Sequence, residues 1–385
     1  MRTLLLIGWC VLSFACTSTN DGSIAERPIG LSELPLPVHR AGEDIPDAQQ
    51  IFALSPEIKE TLDHKFARYR HDPHDLMFAF RKWMTADDGF KVQYDNTTTY
   101  TATETFHERA GNCMSLALMT VAFADHLDLS ADFLRPDVPL FWEQRDGIET
   151  IGDHVNVVVR ENYQRPYVLG SNAFIVDFTP NNRYQFVKRM KLSRHEAITS
   201  FYSNRAAEAL SLNQLDLAYS YAWHAIQTSP LDSGIYSLVG VVLRRQGQID
   251  LAERSYRAGM QLDDVDPLLL HNLVYFLRFD ERHYEAYLLS LKLEKIKLNS
   301  PFVMAREAQS FYEAGDYKQA LETYNNAIQR ANYIHDLHFG KARVLLALGE
   351  YEDAKAELNK AKELSTTRQQ ASQYSGKIAA LNNLL

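Results

Sequence analysis

The sequence predicts two folded parts in series: an α+β domain with a helix-borne cysteine and an antiparallel sheet, then an all-α solenoid of paired helices. Three observations carry this. At 385 residues the chain is too long for one ordinary core of roughly 100–200 residues. Helical patterns followed by two β-branched strand patterns lie between residues 50 and 195. Beyond residue 203 small and apolar residues recur with a period of 34. The expected organisation is a signal segment at 1–15, a tether at 16–49, the α+β domain at 50–195, five repeats at 199–366 and a capping helix at 367–385.

The first element is a processing signal. Arg2 precedes an uncharged apolar stretch over residues 4–15 that is too short for a transmembrane helix. It ends Leu12-Ser13-Phe14-Ala15-Cys16, followed by Thr17-Ser18-Thr19-Asn20, and resembles a bacterial lipoprotein signal. That resemblance implies cleavage before Cys16 and lipidation of its thiol; plain secretion with cleavage nearby is the other reading. Thr17, rather than Asp, after the cysteine implies the outer membrane of a bacterial periplasm. No later window is apolar enough to span a bilayer, so the expected attachment is through the lipid anchor only. With 46% hydrophobic and 23% charged residues and a net charge of -9, the chain has no electrostatic reason to bind nucleic acid.

Of the three cysteines, Cys10 leaves with the signal and Cys16 carries the lipid, so Cys113 is left as a solitary thiol. Disulfide chemistry cannot account for it. It is either a buried, inert side chain or a functional one.

The tether contains Pro28, Pro35, Pro37 and Pro46 with Gly22, Gly30 and Gly42. Folded structure is expected from near Gln50, with helices over about 55–70 and 73–84. His71-Asp72-Pro73-His74-Asp75 has the look of a metal cluster, but reads better as a helix-start turn capped by Asp72.

In the solenoid, Ala218, Ala252, Ala286, Ala320 and Ala354 form one row of the period. Ala225, Gly259, Leu293, Ala327 and Ala361 form a second, and Ala206, Gly240, Val274, Ala308 and Ala342 a third. Asn213, Gly247, Glu281, Gly315 and Gly349 take the turn between helices. Over about 203–364 this resembles the tetratricopeptide repeat, weakest in the third unit, where Arg282-His283-Tyr284 replaces the usual turn. Large residues such as Tyr256 and Tyr324 would fill the gaps beside the small ones. No unit buries its apolar face alone, so stacking supplies the stability and the resemblance implies a protein partner on the concave face.

The chemistry is expected in Glu108-Arg109-Ala110-Gly111-Asn112-Cys113-Met114-Ser115. Gly111-Asn112 signals a turn and cap, and the apolar run to Leu127 a buried helix, so Cys113 falls in the first turn. There the helix dipole and unpaired N–H groups favour thiolate over thiol and can hold an oxyanion. A base is available at His154, in Asp153-His154-Val155-Asn156-Val157-Val158-Val159, where His154 and Asn156 share a strand face. Asp177 interrupts the apolar strand Phe174-Ile175-Val176-Asp177-Phe178 and is costly unless paired. Adjacent strands would let Asp177 orient the His154 ring. His126 is a poorer base, being about 20 Å along the same helix from Cys113. Trp142 either walls the cleft or fills core.

Cysteine on a helix start, then histidine and aspartate on successive strands, resembles the transglutaminase-like superfamily of papain-type peptidases and amidases over about 76–183. Thr101-Ala102-Thr103-Glu104-Thr105-Phe106 before the Gly-Asn-Cys triplet is also similar to it. The resemblance implies a catalytic triad of Cys113, His154 and Asp177 and an extra oxyanion donor upstream, which the sequence does not assign; Tyr94 and Asn96 are guesses for it. It implies no cofactor and no metal. The expected activity is acyl transfer from a peptide or protein amide, to water rather than to another amine. The rival reading is a catalytically silent scaffold whose repeats mediate protein interaction in the cell envelope. A third, an accessory of envelope assembly, has no direct sign in the sequence.

Overall fold

The computed structural model describes residues 33–34, 36, 44–86, 89–95, 97–136, 142–145, 148–151, 154–161, 173–177, 189–298, 300–365 and 368–382. The expected signal segment and Cys16 lie outside the described residues.

The N-terminal body opens with α1 (Ala48–Phe52), whose start is fixed by a capping box between Asp47 and Gln50. The first helix therefore starts two residues before Gln50, and Ile51 is fully buried. Ser55 caps α2 (Pro56–Phe66), and Asp72 caps α3 (Pro73–Thr85) by accepting from the N–H groups of His74 and Asp75. Asp72 thus plays the role expected of a helix-start residue. Two short elements, β1 (Gln93–Tyr94) and β2 (Ala110–Gly111), pair in parallel around α4 (Ala102–Glu108). Then comes α5 (Cys113–His126), where every side chain from Met114 to Ala124 is buried. Such a helix is stabilised by being surrounded rather than by one apolar stripe. Rings of Phe66, Phe80, Trp83, Phe90, Phe106 and Phe123 pack in edge and stacked contacts around it.

Against α5 lies a four-stranded antiparallel sheet. Its strands are β3 (Ser130–Pro136), β6 (Asn156–Arg160), β7 (Ala173–Val176) and β8 (Arg189–Leu192), in the order β7-β6-β3-β8. A separate hairpin joins β4 (Trp142–Arg145) to β5 (Ile148–Ile151). The side chain of Trp142, with the choice between cleft wall and core, lies outside the described residues.

The rest is helical: α6 (Arg194–Ser211), α7 (Leu215–Thr228), α8 (Ser233–Arg245), α9 (Ile249–Leu262), α10 (Pro267–Phe279), α11 (His283–Leu298), α12 (Pro301–Glu313), α13 (Tyr317–Arg330), α14 (His335–Leu348), α15 (Tyr351–Glu363) and α16 (Arg368–Asn382). Consecutive pairs from α6 to α15 make five units, and α16 covers the last with Tyr374 and Leu381 buried. All five alanines of the first row are at most 1% exposed. The five turn residues Asn213, Gly247, Glu281, Gly315 and Gly349 all have positive φ, between 58° and 81°. The irregular third unit keeps this left-handed turn at Glu281, and Arg282 reaches back to Glu253 on α9 at 2.5 Å. A Cβ on Gly340 would lie 2.3 Å from the Tyr324 ring, so the close crossing there requires glycine.

Two observations bear on the boundaries. Ser193 forms a capping box with Glu196 immediately after β8, so the expected division at 195–199 falls inside the first turns of α6. One continuous buried cluster runs from Leu34 to Ala286, taking in both the α+β body and the first repeats. The second concerns the tether. Leu34 is only 5% exposed, and Glu33 pairs with Arg254 on α9. An apolar side chain gains by packing wherever a matching surface is offered, and composition rich in proline and glycine does not prevent that at single positions.

Candidate functional site

The position of Cys113 is set from both sides. Upstream, Asp95 N–H donates to the Gly111 carbonyl at 3.0 Å, extending the β1–β2 pairing and fixing the strand that delivers Asn112. Arg109 adopts a left-handed conformation (φ 53°) and lays its guanidinium over the Phe90 and Phe106 rings. A Cβ on Gly111 would fall 2.7 Å from Ser115 Cβ, so no other residue fits before the cap. Downstream, the Asn112 side chain accepts the Ser115 N–H at 2.9 Å and starts the helix with Cys113 as its first residue. Cys113 is partly exposed, and thus reachable.

The strands bring up the other two groups. Val157 pairs with Val176, so extending the antiparallel register by one residue sets Asn156 opposite Asp177. His154, two residues before Asn156, falls on the same side. His154 Nε2 lies 3.0 Å from Asp177 Oδ1, and Asn156 Nδ2 donates to Asp177 Oδ2 at 3.1 Å. Both carboxylate oxygens are therefore engaged. With Nε2 committed to Asp177, the ring lies near enough to Cys113 for the thiol to raise it as well. His154 is 4% exposed and the Asp177 side chain 11%.

Burial alone drives the His154 imidazole towards its neutral form. The hydrogen bonds to Asp177 and Cys113, with the charge of each, outweigh it and push the ring up to about 9. At neutral pH this favours a charged ring held against the Asp177 carboxylate. Arg189, at the start of β8, is pushed down by burial and lies close enough for the Asp177 charge to oppose that.

The remaining candidates separate. His126 ends α5 and contacts Asp63 at 2.9 Å, at the far end of the helix from Cys113. Tyr94 sits in β1 opposite Gly111, beside the thiol turn, while Asn96 lies outside the described residues. His74 bonds Glu161 at the end of β6 at 2.9 Å, a pin between α3 and the sheet. Sequence reasoning missed Ser115, Thr99 and Glu208, which form a hydrogen-bonded chain behind the cap. Ser115 alone had a local signal, standing three residues after the capping asparagine.

Among known proteins, the tetratricopeptide repeat family matches residues 311–379. No curated protein matches the chain. Of solved structures, one titled as Pseudomonas aeruginosa pilF is 17% identical at a TM-score of 0.27, covering 50% of this chain and 87% of that one. YrrB, described as a TPR protein with an unusual peptide-binding site, is 16% identical over 46% of this chain and 91% of its own, with a TM-score of 0.24. MamA from Desulfovibrio magneticus RS-1 is 12% identical over 43% and 94%, with a TM-score of 0.24. None of these likenesses bears on the chemistry of Cys113. With the 34-residue lattice and the family match in hand, the C-terminal part of the chain is an all-helical solenoid of tetratricopeptide repeats.

Proposed function

We propose that this chain is a thiol acyl-transfer enzyme of transglutaminase-like type that hydrolyses a peptide or protein amide, with the repeats recruiting a protein partner. The observation that carries the reading is the convergence of Cys113, His154 and Asp177, with the thiol partly exposed, His154 buried and Asp177 partly buried. In this reaction the Cys113 sulfur attacks the amide carbon, and first-turn N–H groups of α5 hold the oxyanion. His154 gives its proton to the nitrogen as the C–N bond breaks and the amine leaves. Water then adds to the thioester, losing a proton to His154, and the C–S bond breaks to return the thiolate and release the acid. Asp177 keeps the ring in the required tautomer. The chain would act in a bacterial periplasm, held at the outer membrane by lipid on Cys16.

A second reading has its own support. The repeats match a known family, and repeats of this kind typically bind protein, which favours a scaffold with a silent thiol body. Iodoacetamide labelling of Cys113 separates the two. The enzyme reading expects fast labelling near neutral pH and a marked slowing in a His154→Ala variant. Slow labelling that is indifferent to His154 would leave the scaffold.

A further inference from the structure

Behind the thiol turn runs a chain of hydrogen bonds that begins in the first repeat. Arg205 Nη1 on α6 donates to Glu208 Oε2 at 3.1 Å. The other Glu208 oxygen, Oε1, accepts the Thr99 hydroxyl at 2.6 Å. Thr99 Oγ1 in turn accepts from Asn112 Nδ2 at 2.7 Å. Asn112 Oδ1 receives both the N–H and the hydroxyl of Ser115, each at 2.9 Å, and Ser115 Oγ accepts the Tyr100 N–H at 2.9 Å. Thr99 and Ser115 are 1% and 0% exposed, so water cannot replace a lost partner cheaply.

The chain has a direction, and the carboxylate imposes it. Glu208, ionised against Arg205, only accepts, so the Thr99 proton must point at it. The Thr99 lone pair then faces Asn112, which is obliged to present its NH2 there and its oxygen to the helix start. Reversing the Asn112 amide would set NH2 against the Ser115 N–H and undo the cap. Burial pushes the Glu208 carboxyl upward, against the pull of Thr99 and Arg205.

We propose that Glu208 is a positioning residue for Cys113. Acting through Thr99, it fixes the Asn112 amide and so holds the first turn of α5, with its sulfur, in the geometry for attack. The inference rests on the thiol-enzyme reading above and deepens it. The first repeat becomes part of the reactive centre and not solely a recruiting device.

The test is the rate of iodoacetamide alkylation of Cys113 in the full chain, followed by mass spectrometry across a pH series, with thermal melts alongside. Thr99→Val keeps the shape and removes the hydroxyl; Thr99→Ser keeps the hydroxyl; Glu208→Gln keeps the shape and removes the charge. Loss of one buried hydrogen bond corresponds to about a fivefold fall in neutral rate for Thr99→Val and Glu208→Gln. Their pH profiles should shift, and Thr99→Ser should label within about twofold of the parent. A purely structural role would lower the melting temperature and leave the pH profile in place, which overturns the proposal. His154→Ala supplies the reference. If it slows labelling and the other variants do not, the positioning role fails and the thiol reading stands. If nothing slows labelling, both fail. Should Thr99→Val not fold, Glu208→Gln decides, and unfolding of both would show the chain to be structural and overturn the proposal.

Discussion

Replacing Asp177 with asparagine isolates what the carboxylate does for His154. The imidazole is 4% exposed, and burial on its own disfavours the charged ring. Its standing at about 9 therefore depends on Asp177 and Cys113. Asparagine at 177 removes the charge, and with its oxygen facing His154 Nε2 its NH2 meets the Asn156 NH2, which now donates to Asp177 at 3.1 Å, so the Asn156 amide must turn over to accept. The ring should fall from about 9 towards its ordinary value of 6.5.

The consequence is a window in pH. At pH 8 a ring titrating near 9 is about nine-tenths imidazolium, and one returned fully to 6.5 is about one-thirtieth, so the charged form of the ring drops by up to roughly thirtyfold. Alkylation of Cys113 should fall by up to about that factor at pH 8 in Asp177→Asn. The deficit should shrink below 6.5, where both rings are charged, and above about 9, where neither is. Stability follows the same window. A raised folded-state value means the histidine's contribution is complete below its unfolded value of about 6.5 and is lost as pH rises through about 9. Melting temperatures of the parent should decline across that range more steeply than those of Asp177→Asn. Equal labelling rates and parallel melting curves from pH 6 to 10 would refute the reasoning.

Three further outcomes test the fold. Gly340→Ala places a methyl 2.3 Å from the ring of Tyr324, itself 4% exposed, and should cost about 1–3 kcal/mol in urea unfolding. Gly376→Ala in α16, where nothing lies within 4 Å, should be neutral or gain up to ~1 kcal/mol. Truncation after Leu192 removes α6, which carries Phe201 and Tyr202 of the shared core, and should abolish a cooperative melt and expose dye-binding surface. A sharp transition in the truncated chain would contradict the continuity of that core.

How far the sequence could be read depended on whether a residue's reason for being there was local. The repeat rows were legible because each small side chain answers to a crossing that recurs every 34 residues, and Asn213 and Glu281 betrayed left-handed turns by standing in the glycine column. Asn112 and Asp72 were legible as caps because a cap bonds within three residues of itself. His154 and Asp177 stood out as charge inside apolar strands, though the register that opposes Asn156 to Asp177 needed the sheet. Thr99 and Glu208 were invisible. They are 109 residues apart, and Glu208 looks like any exposed glutamate of a repeat helix until α6 is laid on the body. The docking of Leu34 was hidden for the same reason, since a single leucine in a proline-rich stretch has no period to announce it.

The junction then decides what the repeats can convey. Tyr202 on α6 donates its hydroxyl to the Pro46 carbonyl at 2.8 Å, Arg194 bonds Asp125 at the end of α5, and Glu33 reaches Arg254 in the second repeat. With the unbroken apolar cluster from Leu34 to Ala286, these contacts fasten the first three repeats to the body that holds Cys113. The buried clusters of α12 to α16 are separate and smaller. A packed core transmits position because its side chains have few alternative arrangements, whereas elements with separate cores can reorient at the cost of their junction alone. A partner gripped by the first three units is thus held in a fixed relation to the thiol, and one gripped by the last two is held only through the junction between α11 and α12.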